Sequence, residues 1–287
     1  VNNKFASDPA LYGYWTTKGW PIPGKLNISY VEAIEHAIDT GAWDPLTKTL
    51  AIYGEDTSWG REFGDTIQAN FQQAGWTTVA EEYFPIDQTD FYTLLNDFEL
   101  LNPTVIAGTS TAAPPLSAFI TEAPQVGLQG LIIADGLHWF SNWYELTGDA
   151  SDYVVDYASL WPTAEAEAFS ADFEARWGFP PQPYAAGLAY DGANLFIAAA
   201  QAVYQETGIL SSEALYAFAQ GEIWTGQWTF KDGIMMESYQ YLPETIPDPV
   251  VGEGFYLFPI VQSFGGEDAI VFPPAWADQP LTPPSRR

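Results

Sequence analysis

Hydrophobic and polar positions alternate in a regular order along the middle of the chain. Short apolar runs have the pattern of buried strands, and most are followed by segments in which apolar side chains recur every three or four residues, as on one face of a helix. The predicted strands are 48–54, 77–84, 103–108, 130–135 and 153–160, and the predicted helices are 60–75, 89–101, 114–123 and 140–148. This alternation predicts βαβ units, and therefore an α/β fold with a parallel sheet covered by helices on both faces.

The segments on either side of this region have a different pattern. An amphipathic helix is predicted at 28–41, before the first strand. A Pro-rich stretch at 179–187 precedes a long, largely apolar helix at 188–208 and a shorter one at 211–220. The chain from 243 onward carries many prolines and one predicted strand, 255–264. We therefore expect a second structural section to begin near residue 180.

Three of the predicted strands are followed by loops of similar composition. These loops read GEDTSWG, GTSTAAPP and DGLHWF, and they are rich in Gly, Ser, Thr, Asp and Trp. The carboxyl ends of parallel strands meet at one edge of the sheet, and ligands of open α/β sheets bind there. The sequence therefore predicts a binding site at this edge.

Composition excludes several classes of function. Nine basic residues face 37 acidic ones, a formal charge of -28, which argues against nucleic acid or an anionic membrane surface as a partner. The chain has no cysteine and two histidines, so neither a thiolate metal site nor a histidine zinc site is expected. We find no phosphate-binding loop or dinucleotide glycine pattern. No cofactor and no metal are predicted.

The order of these pieces resembles the type I periplasmic binding proteins, in the branch that binds leucine, isoleucine and valine. The stretch beginning KTLAIYGEDTSWGREFGD looks like the opening of the family's second lobe, and GLAYDGANLFIAAAQ is similar to its return helix into the first lobe. WTGQWTFKDG resembles the family's G-x-x-x-F-D-x-x-G turn. NNKFASDPAL resembles the loop where first-lobe residues meet the ligand's α-carboxylate.

The resemblance implies a two-lobed α/β fold with parallel sheets flanked by helices. Residues 1–45 and 181–258 would form part of the N-terminal lobe, 46–180 a complete C-terminal lobe, and 259–287 a Pro-rich tail. The βαβαβ segment with which the family begins is absent from the sequence, so the first lobe is expected to be incomplete. The resemblance leaves open whether a further N-terminal segment or another subunit supplies the rest, or whether it is lost by proteolysis.

The function implied by the resemblance is that of a substrate-binding protein of an ABC importer, without enzymatic activity. Such a protein binds an amino acid or a similar small molecule in a cleft between its lobes, closes about a hinge and passes the ligand to a membrane permease. The implied location is periplasmic or extracellular, and a lipid anchor through an absent N-terminus is left open.

The resemblance also assigns roles to residues of the predicted loops. Asp135 matches the acid that meets the ligand's α-ammonium group, and Gly136 lets the backbone pass close to the ligand. Trp59 matches an aromatic residue that covers the ligand, and Ser58 opens the following helix. The alternatives are a helix cap for Asp135 and for Ser58, and a core position for Trp59.

The remaining candidates lie further along each lobe. Ser110 and Thr111 could donate hydroxyl groups to a ligand, or could form a turn before Pro114. Ser7, with Ala6, matches the small hydroxyl position that holds the ligand's carboxylate. Tyr190 begins the return helix and is expected to line the cleft.

Two other functions are kept as alternatives. An extracellular structural or assembly protein could have kept a receptor fold without transport. A glycoside hydrolase would need two carboxylates across a cleft, for which Glu55 or Asp56 with Asp135 are candidates.

His138 is expected to be structural, because a lone histidine is more often structural than a ligand. Trp59, Trp139 and Trp143 suggest a ligand larger or more aromatic than valine.

Overall fold

A computed structural model describes residues 9–14, 16–158 and 160–283 of the chain. The predicted positions of Ser7 and Ala6 lie outside these residues. Contacts divide the chain into two compact units. The first unit is Val1–Leu26 with Ser159–Phe258, and the second unit is Asn27–Ala158 with Pro259–Arg287.

The helices and strands are numbered in chain order. The helices are α1 (Pro9–Tyr12), α2 (Pro23–Leu26), α3 (Ile28–Asp39), α4 (Ser58–Gln73), α5 (Tyr92–Leu101), α6 (Ala113–Glu122), α7 (Trp143–Thr147), α8 (Ala164–Trp177), α9 (Leu188–Thr207) and α10 (Ser212–Phe218). The strands are β1 (Thr49–Glu55), β2 (Thr77–Phe84), β3 (Val105–Thr109), β4 (Leu131–Asp135), β5 (Val155–Tyr157), β6 (Ile260–Phe264) and β7 (Glu267–Phe272).

The described strands form a seven-stranded sheet in the second unit, in the order β2-β1-β3-β4-β5-β6-β7. Strands β1 to β5 pair in parallel, whereas β5 with β6 and β6 with β7 pair antiparallel. The apolar runs predicted as strands thus form the centre of the sheet, with helices packed on them. The predicted α/β class with a mostly parallel, helix-flanked sheet is confirmed.

Local sequence explains how the first βα unit forms. Six of the seven residues of β1 are buried, because the strand lies between β2 and β3 with both faces covered. Thr57 caps α4, its hydroxyl accepting a hydrogen bond from the Gly60 N–H at 3.2 Å. Gly60 has no room for a side chain, since a Cβ there would lie 2.1 Å from the Glu55 carbonyl oxygen. The first turn of helix α4 therefore packs directly on the end of β1.

Two elements have sequence signals that periodicity did not reveal. Helix α8 is almost entirely exposed, so it has no apolar stripe, but Thr163 caps its start and Gly178 ends it at φ 79°. Strand β7 follows β6 across Gly265 and Gly266, both at positive φ (59° and 86°), which is the backbone of a tight hairpin turn.

The unit boundaries differ from the expected domains in three places. Helix α3 belongs with the second unit, where its buried face, including Val31 and Ile34, packs against β6, β7 and α4. The segment after 258 also belongs there, because β6 and β7 complete the sheet. The chain enters the first unit at 159 rather than near 180, so α8 is part of that unit.

The first unit is held by buried carboxylates with protein partners. Asp191 in α9 accepts hydrogen bonds from the backbone N–H of Ile234 (2.7 Å) and of Met235 (2.9 Å) and from the Tyr239 hydroxyl (2.8 Å). Asp248 forms salt bridges with Lys18 at 2.6 Å and with Lys25 at 3.0 Å. All of these partners are protein groups, so a structural role explains why both carboxylates are buried.

Among the residues that the structure describes, none of the helices combines the length and the apolar character needed to cross a membrane.

Candidate functional site

The carboxyl ends of three neighbouring strands bring the predicted loops together in the second unit. Strand β1 ends at Glu55, β3 at Thr109 and β4 at Asp135, and the register pairs Gly54 with Thr109 and Thr109 with Asp135. The loops GEDTSWG, GTSTAAPP and DGLHWF therefore lie side by side, as the strand order requires. We refer to these three loops and the strand ends beneath them as the carboxyl edge.

Glu55 is the anchor of this edge. It is 1% exposed, and its carboxylate accepts hydrogen bonds from the Thr57 hydroxyl (2.8 Å) and from the Thr111 N–H (2.7 Å). The hydroxyls of Thr111 (2.8 Å) and Ser110 (3.4 Å) also donate to it. Ser110 and Thr111 were expected either to donate to a ligand or to form a turn before Pro114. The Thr111 hydroxyl is directed at Glu55, and the Ser110 hydroxyl lies nearer the Ala112 carbonyl oxygen (3.3 Å), within that turn. The carboxylate fixes the loop after β3 to the end of β1.

Two tryptophans form the aromatic part of the edge. Trp59 lies in the first turn of α4, and its indole N–H donates to the Thr109 hydroxyl at 3.2 Å. Its ring centroid is 5.9 Å from that of Trp139, with the planes tilted by 57°. Both side chains are partly exposed. Ser58 is exposed and is not the helix cap, because Thr57 takes that position.

Asp135 lies beneath this aromatic pair. It is 1% exposed, and its carboxyl accepts a hydrogen bond from the Thr109 hydroxyl at 2.8 Å. Gly136 follows at φ 99°, where a Cβ would lie 3.1 Å from the Ser110 carbonyl oxygen, so only glycine fits without strain. Asp135 is buried, and it does not cap the 3-10 turn that follows, whose N-cap position is Gly136.

A second acid approaches Asp135 from the neighbouring strand. Asp156 in β5 is fully buried and accepts a hydrogen bond from the Tyr30 hydroxyl at 2.8 Å, and that hydroxyl is also 3.3 Å from Asp135. Burial, and next the charge of Asp156, raise the pKa of Asp135 to about 8. Asp135 therefore carries a proton at neutral pH.

The hydroxyl of Tyr30 has a single proton for two acids. The Tyr30 hydroxyl lies within donating distance of both acids and is nearer to Asp156, at 2.8 Å against 3.3 Å. When Tyr30 donates to Asp156, a protonated Asp135 can donate to the phenol oxygen. The hydrogen bonds then run from Asp135 through Tyr30 to Asp156. In this arrangement the protonated Asp135 and the Tyr30 hydroxyl each have an acceptor.

His138 contacts Asp156, the last member of this series of hydrogen bonds. Its Nδ1 is 3.0 Å from Asp156 and its Nε2 is 2.9 Å from Asp268, at the start of the β6–β7 hairpin's return strand. Burial alone would lower the pKa of His138, but the hydrogen bonds to Asp156 and Asp268 outweigh it and raise the pKa to about 9. The ring is therefore an imidazolium at neutral pH.

The other predicted site residues are placed elsewhere. Tyr190 lies in α9 of the first unit, is 43% exposed and packs its ring 4.8 Å from that of Phe169. Of the hydrolase candidates, Glu55 and Asp135 are both occupied by protein donors. Asp56 is exposed and paired with Arg61 at 2.6 Å.

The residues that sequence reasoning missed are Tyr30, Thr109 and Asp156. For Asp156 a signal existed, because a charged residue inside the apolar run YVVDYASL must find partners when the strand is buried. Tyr30 had no such signal, since a tyrosine on an amphipathic helix is ordinary. Its role depends on where α3 packs.

Comparisons with known proteins agree with this architecture. A sequence profile of the family described as periplasmic binding protein matches residues 31–222. No curated protein matches the chain.

Solved structures resemble the chain at low identity. A protein from Silicibacter pomeroyi, described as a branched-chain amino acid ABC transporter, is 15% identical with a TM-score of 0.78, over 99% of this chain and 72% of that one. A solute-binding protein from R. palustris in complex with benzoate is 16% identical with a TM-score of 0.60, over 87% of this chain and 62% of that one. A leucine-binding protein from Thermotoga maritima is 14% identical with a TM-score of 0.57, over 86% and 64%.

The chain thus spans between 62% and 72% of the length of these three structures, and at such identities the likeness concerns the fold. The profile match covers more than half of the 287 residues. The chain belongs to the periplasmic binding protein family and has its type I fold.

Proposed function

We propose that this protein is the substrate-binding component of an ABC importer and acts in the periplasm or outside the cell. It would hold an amino acid or a similar small molecule and deliver it to a membrane permease, without altering it chemically. Family membership supports this role, as do the named functions of the structural neighbours. The strongly acidic chain, at -28, fits a partner that is a small molecule rather than a polyanion.

The observation that carries the proposal is the aromatic pair at the carboxyl edge. Trp59 and Trp139 come from loops after β1 and β4, lie 5.9 Å apart and remain partly exposed above Thr109 and Asp135. Large aromatic faces with a few fixed polar groups are typical of small-molecule sites. We propose that the two indoles contact the apolar part of the ligand.

Asp135 is the candidate for recognising an ammonium group, and its burial sets a condition on that role. Because Asp135 is protonated at neutral pH, it carries no charge to attract a cation. A ligand ammonium could use it only by displacing the proton and the Thr109 hydroxyl, since a nearby positive charge favours the charged carboxylate. An aromatic or aliphatic carboxylic acid without an amino group would need no such exchange.

The proposal is tested by a thermal-shift screen of matched ligand pairs. Each pair joins an amino acid to the same acid without the amino group, such as phenylalanine and 3-phenylpropanoate or leucine and 4-methylpentanoate. A true ligand raises the unfolding temperature increasingly with its concentration. Preference within a pair then decides whether an ammonium group is recognised.

Variants locate the site. Trp59→Ala and Trp139→Ala should each weaken binding at least about tenfold, the loss expected when a large aromatic contact is removed. Trp177→Ala is the matched control, because Trp177 is an exposed tryptophan of α8 in the first unit. Unchanged affinity in both edge variants would exclude this site. Ordered oligomers with no small-molecule binding would favour the assembly alternative.

A further inference from the structure

His138 is the point at which three segments of the second unit are joined. The segments are the loop after β4, strand β5 and the β6–β7 hairpin. The backbone N–H of His138 donates to Asp156 at 3.0 Å, and Nδ1 contacts the same carboxylate oxygen at 3.0 Å. On the other side of the ring, Nε2 is 2.9 Å from Asp268 and 3.3 Å from the Ser263 hydroxyl, which itself donates to Asp268.

The geometry requires both ring nitrogens to carry hydrogens. A carboxylate only accepts hydrogen bonds, and an acid faces each nitrogen, so a neutral imidazole would leave one of the contacts without a proton. The side chain is 5% exposed, and little water reaches it. The groups facing the ring are Asp156 from β5, Asp268 from β7 and Ser263 from β6, with Tyr30 and Asp135 behind Asp156.

The residue that follows His138 is one of the two tryptophans of the proposed site. Residues Leu137–Trp139 form a single 3-10 turn, so the ring of His138 and that of Trp139 are fixed by the same backbone. A Cβ at Gly136, at the start of the turn, would lie 3.3 Å from the Trp139 ring. The Trp143 ring lies edge-on to the histidine ring, with the two centroids 5.0 Å apart.

We propose that His138 is a positioning residue for the ligand site. Held as an imidazolium between Asp156 and Asp268, it keeps Trp139 against Trp59 at the carboxyl edge. This inference rests on the proposed function for its purpose, since the aromatic pair is the proposed ligand contact. The coupling itself can be measured without any ligand. Loss of the proton from His138 breaks one of the two contacts, releases the turn and separates the indoles.

The test uses the full chain labelled with 5-fluorotryptophan and observed by fluorine NMR. The Trp139 resonance is assigned by its absence in Trp139→Phe. The titration is made in Asp135→Asn, because Asp135, with a pKa of about 8, would otherwise ionise beside the indoles in the same range. In this variant the Trp139 resonance should stay constant between about pH 6 and pH 8 and move as the pH rises through about 9, where the pKa of His138 lies. When Asp268→Asn is added, the same movement should occur about one to three pH units lower, because one of the two charges that hold the proton is gone.

Asp278→Asn is the matched control. Asp278 is an exposed acid that accepts a hydrogen bond from the backbone N–H of Ile270 in β7 without contacting His138. The Trp139 titration should be unchanged in this variant. A Trp139 resonance that does not move up to about pH 10 in Asp135→Asn, or that titrates alike with and without Asp268→Asn, would show that His138 only stabilises the fold and would overturn the inference.

The titration in Asp135→Asn alone tests the inference even when the variant that also carries Asp268→Asn fails to fold. A ligand found in the screen adds a second readout, since its affinity should fall over the same pH range as the Trp139 resonance moves. Failure of the screen with a normal Trp139 titration would count against the proposed function alone. A ligand whose affinity is independent of pH up to about 10 would count against the positioning role alone.

Discussion

Replacing Asp135 with asparagine should change how the stability of the protein depends on pH. The Thr109 hydroxyl donates to Asp135 at 2.8 Å and the Tyr30 oxygen lies 3.3 Å from it, so the protonated acid can accept from the first and donate to the second. An asparagine has the same shape, and it can accept through its oxygen and donate through its nitrogen. Asp135→Asn therefore keeps the hydrogen bonds of the neutral acid and removes only its ability to ionise.

The magnitude follows from the difference in pKa between the folded and unfolded states. In the folded protein burial and Asp156 raise the pKa of Asp135 to about 8, whereas an unfolded aspartate titrates near about 3.9. The folded state therefore holds one proton more than the unfolded state between about pH 4 and pH 8. The stabilisation is full below this window and is lost as the pH rises through it, by about 1.4 kcal/mol per pH unit. The total is on the order of 5 kcal/mol.

Urea unfolding followed by tryptophan fluorescence measures this effect. The free energy of unfolding of Asp135→Asn minus that of the wild type should increase steadily from about pH 5 to pH 8 and level off above it. Asp97→Asn, at an exposed position of α5, makes the same chemical change on the surface and is the control. Parallel stability curves for Asp135→Asn and the wild type would mean that Asp135 is charged in the folded protein, and the hydrogen-bond chain through Tyr30 would then be wrong.

Two further substitutions test the construction of the carboxyl edge. Glu55→Gln should lower the free energy of unfolding by about 2–3 kcal/mol, because an amide nitrogen must face donors that now contact a carboxylate. Glu99→Gln, exposed on α5, is its control in the same urea experiment, and a loss no larger than the control's would contradict the anchoring role. Gly136→Ala should cost about 1–3 kcal/mol, because the residue sits at φ 99° with the Ser110 carbonyl oxygen 3.1 Å from the new Cβ. A variant as stable as the wild type would show that the turn can relax.

The fold could be predicted because its strongest determinants are local. Apolar runs such as 48–54 and 130–135 alternate with amphipathic helices, and this order leaves few topologies for a parallel sheet. Helix α8 was not predicted, because an exposed helix needs no apolar stripe. Its capping residues, Thr163 and Gly178, were nevertheless present in the sequence. Strand β7 is half-exposed, and its signal lay in the turn at Gly265 and Gly266 rather than in the strand.

The location of the candidate site could be predicted, but the direction of its side chains could not. Strand ends alone bring Glu55, Thr109 and Asp135 to one edge. Whether a hydroxyl in the loops points outward depends on which acid lies beneath it, and the Thr111 hydroxyl turns to Glu55, which is 56 residues away in sequence. Likewise, the protonation of Asp135 depends on burial by α3 and on a neighbour in β5. Such partners are set by packing, which no short motif encodes.

The role of the aromatic pair as a ligand contact is tested most directly by NMR of the indole N–H groups during ligand titration. The probes are the acids and amino acids that raise the unfolding temperature in the screen. Resonances of Trp59 and Trp139 should shift and saturate with the ligand, whereas that of Trp177 should stay in place. Saturable binding that leaves both Trp59 and Trp139 unchanged, or the absence of any stabilising ligand, would contradict a small-molecule site at the carboxyl edge.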